Sequence, residues 1–118
     1  MNKVVILAGA ASALAVVLVV AGLAYIPKTV TVEIGNEGTT PDAALFRPGT
    51  VNVQPRTTVI WKNTDASAHT VTSTVPAGVF DSGVMGPREE FEFMFATEGT
   101  FDYYCKVHPI MLGKVVVQ

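Results

Sequence analysis

The chain has 118 residues, a formal net charge of −2, and 49% hydrophobic against 15% charged residues. That length leaves room for one small domain, and the near-neutral charge without any Lys/Arg cluster offers nucleic acid no basic surface. The single Cys excludes an internal disulfide and leaves a thiol that would be prone to oxidation unless something occupies it.

The apolar excess is concentrated at the start. Residues 4–26 carry no charge, and about 20 such residues suffice to cross a bilayer as a helix. Tyr25, Ile26, Pro27 and Lys28 follow in the order of an interfacial aromatic, a helix stop and a flanking charge. Gly22 and Ala24 would also suit a signal-peptide cleavage site, but the apolar run is longer than the usual signal core. The expectation is a transmembrane anchor, or an uncleaved signal-like segment, over 1–27, and a folded domain over 28–118. Lys3 and the free amine place the N-terminus inside by the positive-inside tendency, which makes a single-pass protein of the cell membrane with its domain on the extracytoplasmic side.

Beyond Pro27 the pattern has a period of two. Thr29–Ile34 alternates and stops at Gly35, residues 36–42 read as loop, and Phe46–Gly49 reads as a turn. Thr50–Val53, Thr57–Lys62, His69–Ser73, Glu90–Phe95, Gly99–Tyr104 and Gly113–Val117 follow as strands, with the Asn63, Thr64, Asp65 cluster as a turn. Phe91, Phe93 and Phe95 fall on one strand face and, with Trp61, Phe80 and Phe101, make the expected core. Glu89, Glu90 and Glu92 read as a solvated strand face, with an acidic docking patch as the alternative. About seven short strands between Gly/Pro/Asn turns predict an all-β sandwich or barrel.

The chemistry lies in Cys105, His108 and Met111, spaced C-x2-H-x2-M, and in His69 upstream in a Thr-rich stretch. Each of these alone reads as an ordinary structural residue. Together, a thiolate, two imidazoles and a thioether are the donor set that favours copper and suits electron transfer. Zinc is the rival metal, but it rarely takes a thioether. The set uses the only Cys and both His, so a second, substrate-activating copper cannot be built from this chain, and no bond-making chemistry or small-molecule substrate is expected.

Several runs together resemble the blue-copper plastocyanin/amicyanin family: Trp61 to Asp65, Ala68 to Val71, Phe80 to Gly83, and Tyr104 to Val115. The likeness covers about Val30 to Gln118, and the short spacing from His108 to Met111 is more like amicyanin than plant plastocyanin. The resemblance implies an eight-strand Greek-key cupredoxin sandwich with one copper ion at one end. His69 and His108 would bind through nitrogen, Cys105 through thiolate, and Met111 as a weak axial donor. Two positions depart from the family pattern. Thr70 stands where many members have Asn, and its hydroxyl is expected to bridge the two ligand loops. Val107 stands where the family has Pro, and its N–H is expected to give the thiolate a second backbone hydrogen bond.

The function expected is one-electron transfer between membrane or extracytoplasmic redox proteins, which dock on an apolar patch of Val107, Pro109 and Ile110 around His108. The alternative is a non-shuttling accessory copper subunit of a larger membrane enzyme, its anchor packed through Gly9, Ala10, Ala13 and Gly22.

Overall fold

The computed structural model describes residues 28–36 and 44–118, together with the backbone of Val5–Ala8, Leu18–Val20 and Leu23–Tyr25. Nine strands form the domain: β1 (Lys28–Asn36), β2 (Ala44–Arg47), β3 (Thr50–Val53), β4 (Thr57–Asn63), β5 (Thr72–Val75), β6 (Ala77–Asp81), β7 (Glu89–Phe95), β8 (Gly99–Tyr104) and β9 (Leu112–Val117). One sheet runs β7-β4-β1-β2, the other β3-β9-β8-β5-β6. Only β1–β2, β5–β6 and β8–β9 are hairpins within a sheet; every other connection crosses to the opposite sheet. Two pairings, β1 with β4 and β3 with β9, are parallel.

The alternation read from the sequence is what closes the two sheets on each other. In β4, Thr57, Val59, Trp61 and Asn63 are buried, and in β7 the three Phe point inward. Trp61 lies at the centre, its ring 5.5 Å from Phe91, 5.7 Å from Phe80 and 5.4 Å from Tyr103. Ring pairs at these separations are among the stronger contacts a core can hold.

The expected eight strands become nine, and several expectations need correction. Ala44–Arg47, of which Phe46 and Arg47 were expected in a turn, is a strand whose Ala44 and Phe46 are buried while Leu45 is exposed. Ala77–Asp81 folds back on β5 as the sheet edge. The strand expected at His69 begins only at Thr72, because His69, Thr70 and Val71 spend hydrogen bonds on Met85, the Cys105 sulfur and Ser82 instead. Glu90 also departs from the solvated reading. Its side chain is buried opposite Lys62 in the β4–β7 register, with the ammonium 3.6 Å away.

The expected anchor over residues 4–26 lies for the most part outside the described residues. Its described parts are extended, with Val5–Ala8 alongside Glu89–Glu92 and Leu18–Val20 paired to Leu23–Tyr25. Among the described residues, no helix is long and apolar enough to cross a membrane. The domain's own polarity is clear. Lys28 pairs with Thr57 and Ile34 with Asn63, so β1 enters at one end and β1 and β4 finish together at the other.

Tyr103 couples core to strand β9. Its ring lies edge-on to Phe46 at 4.7 Å and to Trp61, and burial pushes its hydroxyl up to about 12. A Cβ on Gly113 would sit 2.1 Å from that ring, which has no room to withdraw between two aromatic neighbours. Gly113→Ala is therefore expected to destabilise the domain by about 1–3 kcal/mol through overpacking. Thermal unfolding checks this, and a melting temperature equal to that of the unsubstituted protein would disprove the wedge.

Candidate metal centre

Two loops at the end where β1 and β4 finish bring the chemistry together. The first, residues 64–71, leaves β4 and carries His69. The second, residues 105–111, joins β8 to β9 and carries Cys105, His108 and Met111. The second loop closes on itself: Met111 N–H donates to the His108 carbonyl at 2.9 Å, and Cys105 N–H to the Met111 carbonyl at 3.2 Å. These bonds bring the chain ends of a seven-residue turn back to one place, which is why ligands three residues apart share a centre.

The donor atoms converge. Cys105 Sγ lies 3.7 Å from His69 Nδ1 and 4.0 Å from His108 Nδ1, and all three atoms fall within 4.8 Å of one another. Two donors on a common ion lie no farther apart than the sum of their bonds, about 4.3 Å for metal–sulfur and metal–nitrogen bonds near 2.3 and 2.0 Å. Both sulfur–nitrogen separations satisfy that limit. The residues therefore fit a single metal ion, and their softness favours copper. Cys105 and His69 are fully buried and His108 half-buried, while Met111 is buried beside them in the core. Of the four residues expected from sequence, three have their donor atoms gathered here, and the fourth lies on the same turn.

Two backbone N–H groups, from Thr70 and His108, point at Cys105 Sγ, each at 3.4 Å. Such donors give the buried sulfur hydrogen-bond partners from both ligand loops. The second donor is His108 and not Val107 as expected from sequence, because the turn after Cys105 folds the N–H three residues on, rather than two, over the sulfur.

A surrounding set of bonds fixes the loops. Asn63, buried, donates through Nδ2 to the carbonyls of Ser67, Met85 and Gly86 at 2.9, 3.1 and 3.1 Å. The His69 and Met85 backbones pair reciprocally as an isolated bridge. Thr70 Oγ1 accepts from Lys106 N–H at 2.8 Å, the bridge between ligand loops that its hydroxyl was expected to make. That hydroxyl also meets Thr72 Oγ1, which reaches Asp81, and the Lys106 ammonium closes the circuit on the same carboxylate. Burial pushes the Asp81 carboxyl up, but Lys106 and the Gly83 N–H outweigh it and hold it below the usual value.

Asp65 was read from sequence only as a turn residue. Its Oδ2 lies 2.8 Å from His69 Nε2, four residues on, and its Oδ1 accepts the Ala66 N–H at 2.8 Å. The hydrogen bond from His69 holds its carboxyl below the ordinary value, against the opposing effect of burial. The i, i+4 spacing to a candidate ligand was the only signal in the sequence, and in a loop that spacing carries no fixed geometry.

A model of copper-binding proteins of the plastocyanin/azurin family matches residues 13–118. The chain is 36% identical over 77 residues to amicyanin-alpha of Methylorubrum extorquens, covering 62% of this chain and 64% of that protein. It is 37% identical over 73 residues to amicyanin of Paracoccus denitrificans, covering 58% and 54%. The match thus spans less than two thirds of the length of either relative. Among solved structures, a purple cupredoxin from Nitrosopumilus maritimus superposes with a TM-score of 0.67 at 30% identity, covering 75% of this chain and 98% of that one.

Removing the inter-loop acceptor leaves the Lys106 N–H without its partner, so Thr70→Val is expected to destabilise the metal-free domain by about 1–3 kcal/mol in urea unfolding; no loss would show that the bridge is not needed. Asp81, with its lowered value, contributes stability above its unfolded value of 3.8 that is lost as pH falls through the folded one. The unsubstituted domain should therefore exceed Asp81→Asn in stability at pH 7, with the gap closing below about pH 3.8. Urea unfolding across that range tests the sign, and a gap that stays constant in acid rules out the linkage.

Proposed function

The chain belongs to the plastocyanin/azurin family of copper-binding proteins, and from that premise we propose that it is a one-electron carrier whose copper is held by His69, Cys105, His108 and Met111. The convergence of one sulfur and two imidazole nitrogens in a buried corner carries this reading. Copper, when bound, supplies a Cu(II)/Cu(I) couple to which a thiolate and two imidazoles are both suited. The Met111 thioether is assigned as the fourth, weaker donor because it is buried on the same turn.

The residues around the centre limit what it does. Cys105 and His69 are sealed from water, so neither offers a route for substrate. His108 alone of the three has an edge toward solvent, and that edge is the proposed path for the electron. Around it Val107, Pro109 and Ile110 are exposed, Ile110 by 86%, with Leu112 (70%) nearby in sequence and also open. The Lys106 charge beside this patch is already balanced by Asp81. The proposed docking surface is therefore apolar and nearly uncharged, and its partner is a redox protein with a matching apolar face.

The proposed tether is residues 4–26, supported by their uncharged length. It requires Val5–Ala8 to leave the β7 edge and become helical, since an open strand pair leaves backbone groups unsatisfied in lipid. The strand direction suits a tether. β1 starts at the end opposite the metal centre and rises roughly 27 Å over its nine residues, so a membrane at the N-terminus would leave the centre facing away from it; the extracytoplasmic side is proposed from Lys3.

Copper-loaded oxidised protein is expected to show an intense visible thiolate-to-copper absorption that Cys105→Ser abolishes. Colourless, redox-silent material would end the carrier reading. Electron exchange with a partner should slow on Ile110→Asp and change little with added salt; a steep salt dependence would instead point to charged docking. The 118-residue chain should partition with membranes and residues 28–118 with the soluble fraction, and recovery of both as soluble would remove the tether.

A further inference from the structure

We propose that Asp65 is a positioning residue for the metal centre: its carboxylate fixes the His69 tautomer and strengthens the His69 Nδ1 as a donor. The inference rests on the metal reading above and goes beyond it, because Asp65 itself touches no proposed donor site.

The geometry leaves His69 one arrangement. An ionised carboxylate accepts and does not donate, so at 2.8 Å from Asp65 Oδ2 the Nε2 must carry the proton. The lone pair is then on Nδ1, the nitrogen that faces Cys105 Sγ at 3.7 Å. The contact is shielded, with the His69 side chain fully buried and that of Asp65 only 12% exposed, so the pull of the anion on the imidazole is weakly screened. Carboxylate partners of this kind orient metal-binding imidazoles and raise their basicity.

Asp65 is also held where this demands. Its N–H donates to Asn63 Oδ1 at 2.9 Å, and Asn63 is bolted to three carbonyls on the loops around the centre. Its second oxygen takes the Ala66 N–H. One oxygen thus caps the loop and the other serves His69. A purely structural role needs only the first. The second has a directional consequence, because an anion behind a ligand favours the more positive metal state, so Asp65 lowers the reduction potential.

The test compares Asp65→Asn, which keeps the shape and the Ala66 cap but loses the charge, with Asp65→Ser, which keeps a capping hydroxyl, and Asp65→Glu, which restores the carboxylate. Nitrogen NMR of the metal-free protein is expected to show His69 as the Nε2–H tautomer in the native chain and a mixture in Asp65→Ser. In copper-loaded protein, Asp65→Asn should favour Cu(I) over Cu(II) by about tenfold relative to the native chain, a rise of about 59 mV for a one-electron couple, with Asp65→Glu returning toward the native value. Zinc affinity of the Ser variant should fall about 10–100-fold. An unchanged tautomer in Asp65→Ser, or a potential in Asp65→Asn equal to or below the native one, would overturn the proposal. The variants are made independently, so failure of one to fold leaves the others to decide. Native protein without redox-active copper would defeat the carrier reading, while the tautomer and zinc measurements still judge Asp65.

Discussion

One sulfur and two imidazole nitrogens must lie within bonding reach of a common point, although His69 stands 36 residues before Cys105. Most of the structure is arranged around that constraint. Buried polar donors are costly to gather without partners, and here every element near the site helps to meet the cost. Thr70 and His108 offer N–H groups to the sulfur, Asp65 takes the His69 Nε2–H, and Thr70 ties one loop to the other. The result is a centre whose ligand loops are held by protein hydrogen bonds, which suits a role in which an ion changes charge without changing place.

The sandwich supplies the rigidity those loops lack. Trp61 closes the core from β4 and Tyr103 from β8, and each strand leads directly to a ligand loop, through Asn63 in one case and Cys105 in the other. Packing in the core is thereby transmitted to the centre over two or three residues. Tyr103 against Gly113 shows how tight the transmission is, since the ring fills the space where a side chain on the strand after Met111 would stand. An error in core packing would reach the ligands with little attenuation.

The two ends of the domain have different physical characters. The centre's end carries exposed apolar side chains and an internally balanced Lys106–Asp81 pair, whereas β1 brings the chain in at the other. That separation leaves the apolar patch clear of the end at which β1 begins.

Much was legible in the chain alone. Alternation and β-branched runs between turns marked seven of the nine strands, one of them displaced from His69 to Thr72, and the inward Phe stripe and Trp61 named the core, because burying one face of a sheet writes itself into every second residue. The candidate group of His69, Cys105 and His108 was legible too, since such donors at C-x2-H-x2-M have no packing reason to coincide. The tertiary structure decided what depends on direction and register. It made Ala44–Arg47 a strand despite the Pro48-Gly49 that follows it, gave the second sulfur bond to His108 instead of Val107, buried Glu90 against Lys62, and turned Asp65 from a turn residue into the partner of His69. Residue type and spacing fix which groups exist and how often they recur along a strand. Only the folded loops fix where a lone pair or an N–H points, because that direction is set by contacts with residues far away in the chain.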